Sequence, residues 1–145
     1  MAIYRPPKPR WRLALGAALG GAVLGLVAGL LLGADDVDPT TAAHEIRSSL
    51  LAAAGSLEVA GIEYEESVAD GEIVREPEYE GALSALRSSR DRFGEVRPAL
   101  VTLFRDRVEP IDALYDEIEQ GMSERVDPAD ITRTIETLIS LLEGG

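Results

Sequence analysis

The chain has 145 residues and carries 26 Asp and Glu against 14 Lys and Arg, a formal net charge of −12 at pH 7, with no cysteine. So acidic a chain repels nucleic-acid phosphates, which excludes that class of partner, and the missing thiols exclude disulfides and thiolate-ligated metals. Aromatic residues make up only 5%, so a folded core must be aliphatic, and the length allows one small domain besides any targeting segment.

Residues 1–12, MAIYRPPKPRWR, form a short basic arm. Pro6, Pro7 and Pro9 prevent a helix, and Arg5, Lys8, Arg10 and Arg12 suit anionic headgroups. Residues 13–34 follow as an unbroken apolar run from Leu13 to Ala34, without charge, polar side chain or proline. At the helical rise this run is about 33 Å long, enough to cross a hydrocarbon core of about 30 Å. Trp11 stands at its basic edge, and Asp35, Asp36 and Asp38 stand just beyond it. Basic flanks stay inside and Trp prefers the headgroup level. The expectation is a single-pass transmembrane helix in the cytoplasmic membrane, with residues 1–12 cytoplasmic and residues 35–145 extracytoplasmic. A cleaved signal peptide is the competing reading, but its apolar core is shorter, about 7–15 residues, and Leu32 would fall where cleavage needs a small side chain.

Glycines recur every fourth residue in this run. Ala17, Gly21, Gly25, Gly29 and Gly33 form one ridge, and Gly16 and Gly20 add a second pair. Small-residue ridges let helices in lipid approach closely, so the expected partners are a second copy or a larger membrane protein.

Beyond the run, Asp38-Pro39 is a helix start, a capping side chain followed by proline at the first helical position. Ile46, Leu50, Ala53, Leu57, Ala60, Tyr64 and Val68 then keep helical spacing, which predicts a long amphipathic helix over residues 39–69. Asp70-Gly71 turns the chain, and residues 72–75 form an extended link with Ile73 and Val74 tucked inward. Glu76-Pro77 opens a second helix with Tyr79, Leu83, Leu86 and Phe93 on one face. Gly94 marks its end and Pro98 the next start. A third helix carries Leu100, Leu103 or Phe104, Val108, Ile111, Leu114 and Ile118, with a kink or short break at Pro110 and a stop at Gly121. Asp127-Pro128 starts a fourth, with Ile131, Ile135, Leu138 and Leu142 in step. No stretch alternates with period two for long enough to be a strand. The predicted fold is all-α: one transmembrane helix followed by an up-down-up-down four-helix bundle ectodomain.

In that topology the pole far from the membrane gathers most carboxylates, with Arg75, Arg125 and Arg133 as its cations. Arg87, Arg90, Arg92, Arg97, Arg105 and Arg107 lie toward the other pole, where they can face anionic headgroups. Hard cations take oxygen ligands. Glu63, Glu66 and Asp70 share one helix face, and Glu76 or Glu78 can approach them from the second helix. These five are the candidate metal ligands, for iron or another hard cation. A merely solvated acidic surface accounts for the same residues. No EF-hand loop is present, and no Glu-x-x-His pair exists for a ferritin-type di-iron site. His44, the single histidine, lies about 28 Å along the helix from Glu63 and reads as a surface residue. No nucleophile–base arrangement or glycine-rich phosphate loop appears, so no enzyme is expected and no resident cofactor is assigned.

The stretch from Tyr64 to Leu83, YEESVADGEIVREPEYEGAL, resembles the extracytoplasmic helical segment that precedes the permease in some bacterial high-affinity iron permeases. The matching residues are Glu63-Tyr64, Val68, Asp70-Gly71, Ile73-Val74, Glu76, Glu78 and Tyr79. Glu65 stands where that segment commonly has proline, and Ser84-Ala85 replace its acidic-aromatic pair. The Arg-Glu-x-x-Glu of the transport helices does not occur, since Arg75-Glu76-Pro77-Glu78 continues with Tyr79. The resemblance therefore implies a non-catalytic accessory or sensing domain for iron or metal uptake, without the permease core. The alternative is a helical scaffold or protein-binding ectodomain with no metal role, assembled through the glycine-rich membrane helix.

Overall fold

The computed structural model describes residues 39–144. The arm at residues 1–12, the apolar run at residues 13–34 and its ridge of Ala17, Gly21, Gly25, Gly29 and Gly33 all lie outside the described residues. Among the described residues no helix is long and apolar enough to cross a membrane.

The elements run α1 (Pro39–Ser67), β1 (Val68–Ala69), β2 (Glu72–Ile73), α2 (Glu76–Glu124) and α3 (Pro128–Leu142). Helix α2 is broken at Phe104, whose backbone (φ −144°, ψ 50°) leaves the helical region. Its two arms fold back on each other, bringing the rings of Phe93 and Tyr115 to 5.7 Å between centroids. Arg97 meets Asp112 at 2.6 Å and Arg90 meets Asp116 at 2.6 Å across the same seam. Four helical rods result, in the up-down-up-down order expected.

The break falls elsewhere than the sequence suggests. Gly94 and Pro98 neither stop nor start a helix, and Pro110 makes no break; both prolines lie inside α2. The reason is the apolar stripe. Phe93, Val96 and Leu100 are all buried, at spacings of three and four, so the core face continues through Gly94 and Pro98 without a change of phase. Pro110 deletes only a bond to the carbonyl of Asp106, a residue on an exposed turn beside the reversal. Likewise α2 runs past Gly121, which is buried against Ile131, and stops when Arg125 turns left-handed at φ 59°. The amide of Val126 then donates to the Gly121 carbonyl (3.0 Å) and that of Arg125 to the Met122 carbonyl (3.1 Å). This is a Schellman stop built on arginine rather than glycine.

Helix α1 ends at Ser67, two residues short of the predicted boundary, because Val68 and Ala69 pair with Ile73 and Glu72 in a two-residue antiparallel ladder. Asp70 (φ 52°) and Gly71 (φ 76°) both have positive φ, the type I′ turn that Asp-Gly favours because it matches the twist of a hairpin. Ladder pairing places Ile73 half-buried opposite buried Val68, which leaves Val74 58% exposed rather than tucked inward.

The core joins the four stripes. Ala53, Leu57, Ala60 and Tyr64 from α1 meet Ala82, Leu86 and Phe93 from the first arm of α2. Val108, Ile111, Tyr115, Ile118 and Met122 from the second arm and Ile131, Ile135, Leu138 and Leu142 from α3 complete it. Each fully buried aliphatic side chain contributes about 1.5–3 kcal/mol by leaving water. In the second arm Tyr115 takes the inner position expected for Leu114, which is half-buried. The Tyr115 hydroxyl meets the buried Ser89 Oγ at 2.7 Å, and Ser89 in turn donates to the Ala53 carbonyl at 2.8 Å. Ser89 spends its single proton on Ala53, so Tyr115 is the donor to Ser89. Burial holds the Tyr115 hydroxyl above its ordinary pKa, against the lowering effects of the Ser89 hydrogen bond and Arg90.

Candidate functional site

The pole reached by the end of α1, the start of α2, the end of its second arm and the start of α3 is held by two tyrosines. Tyr64 of α1 donates its hydroxyl to the Val126 carbonyl at 2.8 Å, and Tyr79 of α2 donates to the Met122 carbonyl at 2.9 Å. Their rings lie 6.3 Å apart at an interplanar angle of 41°. The last carbonyls of a helix lack partners within it. These hydroxyls add a second donor to the Met122 carbonyl, which already accepts from Arg125, and supply one to the Val126 carbonyl just beyond α2. They tie the first two rods to the end of the third and to the link before the fourth. Tyr64 is fully buried, and burial, with smaller contributions from Tyr79 and Asp127 against Arg125, pushes its hydroxyl up to about 12. It stays protonated and donating across the physiological range. Ser67, also buried, donates back to the Tyr64 carbonyl at 3.0 Å.

The residues that carried the family resemblance, Tyr64, Asp70, Gly71, Glu76 and Tyr79, are therefore the frame of this pole. Asp70 and Gly71 form its turn, and Glu76 lies in the first turn of α2, where a carboxylate complements the helix dipole. Asp127 caps α3 by accepting from the Ala129 amide at 2.9 Å, with Pro128 at the first helical position.

The five candidate ligands do not converge. Arg75 stands between two of them, 3.2 Å from Glu66 and 3.5 Å from Glu78, so these carboxylates already share a counter-charge. The Glu63 carboxylate rests on Gly81, where any larger residue would displace it. Asp70 and Glu76 are exposed on the turn and the helix start. Among the described residues no three acidic, histidine or cysteine side chains are grouped so that they could hold a metal ion. His44 is exposed on the first turns of α1. At the other pole, Arg90 and Arg97 are taken up by carboxylates of the facing arm, which removes them from the set open to headgroups, and Arg87 is bonded to the Leu83 carbonyl at 3.2 Å.

A second feature lies between α1 and α3, where Gly61, having no side chain, lets Ile135 approach. A Cβ at Gly61 would sit 3.5 Å from Ile135 Cδ1, in ordinary contact. The groove above this floor is lined by Ile62 and Ile139, with Glu58 and Glu65 on the α1 rim and Glu136 and Glu143 on the α3 rim. Periodicity gives no sign of it, because Glu58, Ile62, Glu65, Glu136, Ile139 and Glu143 lie outside the buried stripes of α1 and α3. The exposed Ile62 is its one local signal.

No curated protein sequence and no solved structure matches the chain. The model of one family does match, over residues 39–144, which is the whole of the helical region described above. Four helical rods agree with that match, and the chain belongs to the iron permease-associated 4-helix bundle domain family.

Proposed function

We propose that the chain is a non-catalytic accessory or sensor domain for iron uptake, anchored by residues 13–34 and presenting its acidic pole away from the membrane. The observation that carries this reading is the family match across residues 39–144. The pole's chemistry supports it: a surface rich in carboxylates raises the local concentration of cations and suits hard metals with oxygen ligands. Because the candidate ligands do not form a preassembled cage, iron in this reading is a cargo drawn to the pole and passed on, with Glu66 and Glu78 released from Arg75 as its first contacts.

The full chain in neutral detergent, titrated with ferric, ferrous and calcium ions while its melting is followed, tests the proposal. Iron should raise the melting temperature, and Glu66→Gln/Glu78→Gln should abolish the rise. Unchanged melting with all three ions refutes direct binding.

The groove between α1 and α3 favours a second reading, a protein-binding ectodomain without a metal role. A membrane partner retained without any metal response, and lost on Gly25→Leu/Gly29→Leu, would support that reading instead.

A further inference from the structure

The four glutamates lining the α1–α3 groove are among the carboxylates of the domain that no arginine neutralises, and no basic side chain lines the groove beside them. Glu66, Glu78, Asp112, Asp116, Glu119 and Asp130 are each held by an arginine. Glu58, Glu65, Glu136 and Glu143 enter no ion pair and no side-chain hydrogen bond among the described residues, and no arginine lines the groove. They are also in register. Glu58 and Glu65 are seven apart on α1, and Glu136 and Glu143 are seven apart on α3, two helical turns or about 10.5 Å in each case. Apolar residues share the same lining. Ile62 is 60% exposed on one lip, Ile139 is half-buried on the other, and the buried Ile135 and Gly61 form the floor.

From this geometry we infer that the groove docks a cationic amphipathic helix of a partner protein. An apolar face repeating every third or fourth residue seats on Ile62 and Ile139, above the floor of Gly61 and buried Ile135, as helix-in-groove recognition requires. Lysines or arginines two turns apart on its flanks reach Glu58 and Glu65 on one side and Glu136 and Glu143 on the other. Gly61 is what makes room for it, since any large side chain there would fill the groove. The unpaired rim charges repel acidic partners and anionic lipid alike and steer a basic helix toward the groove. The inference rests on the reading of the chain as a domain that docks onto a membrane partner. It is independent of metal binding, because none of its residues belongs to the acidic turn at Asp70.

The test uses the full chain in neutral detergent, with protein-free micelles as the blank. The probe is a fluorescent helical peptide carrying leucines on one face and lysines seven apart on its flanks. Its anisotropy should report saturable binding that weakens at least tenfold as salt rises from about 50 to about 300 mM, as a charge-steered contact requires. Glu58→Lys/Glu136→Lys should weaken binding at least tenfold, and Glu58→Gln/Glu136→Gln should weaken it less, with both variants keeping the wild-type melting temperature. Asp106→Lys/Glu109→Lys, an equal charge change near the Phe104 reversal, should leave binding within about twofold, because exposed charges beyond a Debye length are largely screened. Equal binding of a scrambled, non-amphipathic peptide, or an equal loss in the Asp106/Glu109 variant, would overturn the inference in favour of a diffuse acidic field. Self-association of the free chain that Glu58→Lys/Glu136→Lys abolishes would overturn it in favour of a second copy. A peptide that fails while iron still raises the melting temperature removes this docking site and leaves the metal reading standing.

Discussion

Tyr64→Phe removes one oxygen from a ring that is otherwise fully buried. The ring still packs, so the change isolates the 2.8 Å bond to the Val126 carbonyl. A hydrogen bond of this kind contributes about 0.5–1.5 kcal/mol net, and an acceptor left buried without a partner costs about 1–3 kcal/mol. Val126 is only half-buried, so water can partly replace the hydroxyl, and the expected loss is about 1–2 kcal/mol. For a domain near 100 residues this lowers melting by about 4–10 °C. The same oxygen sets an alkaline limit. The Tyr64 hydroxyl is pushed up to about 12 from 10.0, so the unfolded state loses this proton first. Stability from this group is fully present below pH 10 and falls as pH rises toward 12, by about 1–2 kcal/mol once solvent screening is allowed for. Melting followed by circular dichroism from pH 8 to 11.5 reads both effects. Tyr64→Phe should melt lower at pH 8 and show a shallower alkaline decline than wild type. A variant that melts within 1 °C of wild type at pH 8, or declines in parallel with it above pH 10, would show that Tyr64 is a packing residue and not a tie between the rods.

Three further substitutions probe the frame, and a fourth its turn. Tyr79→Phe combined with Tyr64→Phe should lose about 0.5 kcal/mol more or less than the sum of the single losses, since the rings touch and both hydroxyls end on the same helix terminus; a double-mutant cycle from urea unfolding measures it. Gly121→Ala places a Cβ onto Ile131 Cδ1 in the buried seam between α2 and α3 and should cost about 1–3 kcal/mol in the same assay. Gly55→Ala points into open space on an exposed helical turn and should stabilise by about 0.5–1 kcal/mol. Gly71→Ala forces a side chain into φ 76° and should destabilise by about 1 kcal/mol, with the loss confined to the hairpin when amide exchange is followed.

Periodicity made all four rods legible, though not the boundary between the second and the third. The stripe Ile131, Ile135, Leu138 and Leu142 is buried as its spacing predicts, and so is the run from Ala53 to Val68. The reversal was misplaced because glycine and proline are read as local punctuation, whereas the Phe93–Val96–Leu100 stripe shows that burial of one face outweighs both. Nothing local marks Phe104. Its departure from helical geometry is imposed by the return of Val108, Ile111 and Tyr115 onto the same core, a tertiary requirement. The Ser89–Tyr115 contact escaped for a related reason: a serine and a tyrosine become partners only after the arms close. The two-residue ladder was missed because its strands are too short to alternate, though the Asp-Gly signal that makes it was visible. The candidate ligands were legible as a charge pattern but not as a geometry, since spacing along α1 gives no account of Arg75 crossing from the next element.

That distinction bears on where function resides. Tyr64, Tyr79, Asp70 and Gly71 carried the resemblance, and each is spent on structure: two hydroxyls on helix-end carbonyls, two residues on a left-handed turn. Residues so committed identify the frame without acting on a ligand. Whatever the domain does to a cation or a partner must be done by side chains that the frame leaves free. Helix α3 has 15 residues against 29 in α1, about 22 Å against about 44 Å at the helical rise, so it covers only the half of α1 that ends at the acidic pole. The four-rod half, the tyrosine tie, the acidic turn and the glutamate-rimmed groove therefore coincide. The tie fixes α1 and α3 at the mouth of the groove through Tyr64 and Val126, so loosening it should change the spacing of the two rims. Tyr64→Phe should accordingly weaken peptide docking in proportion to its effect on stability, while a destabilising change in the other half of the bundle should not. Docking that is indifferent to Tyr64→Phe would separate the groove from the frame.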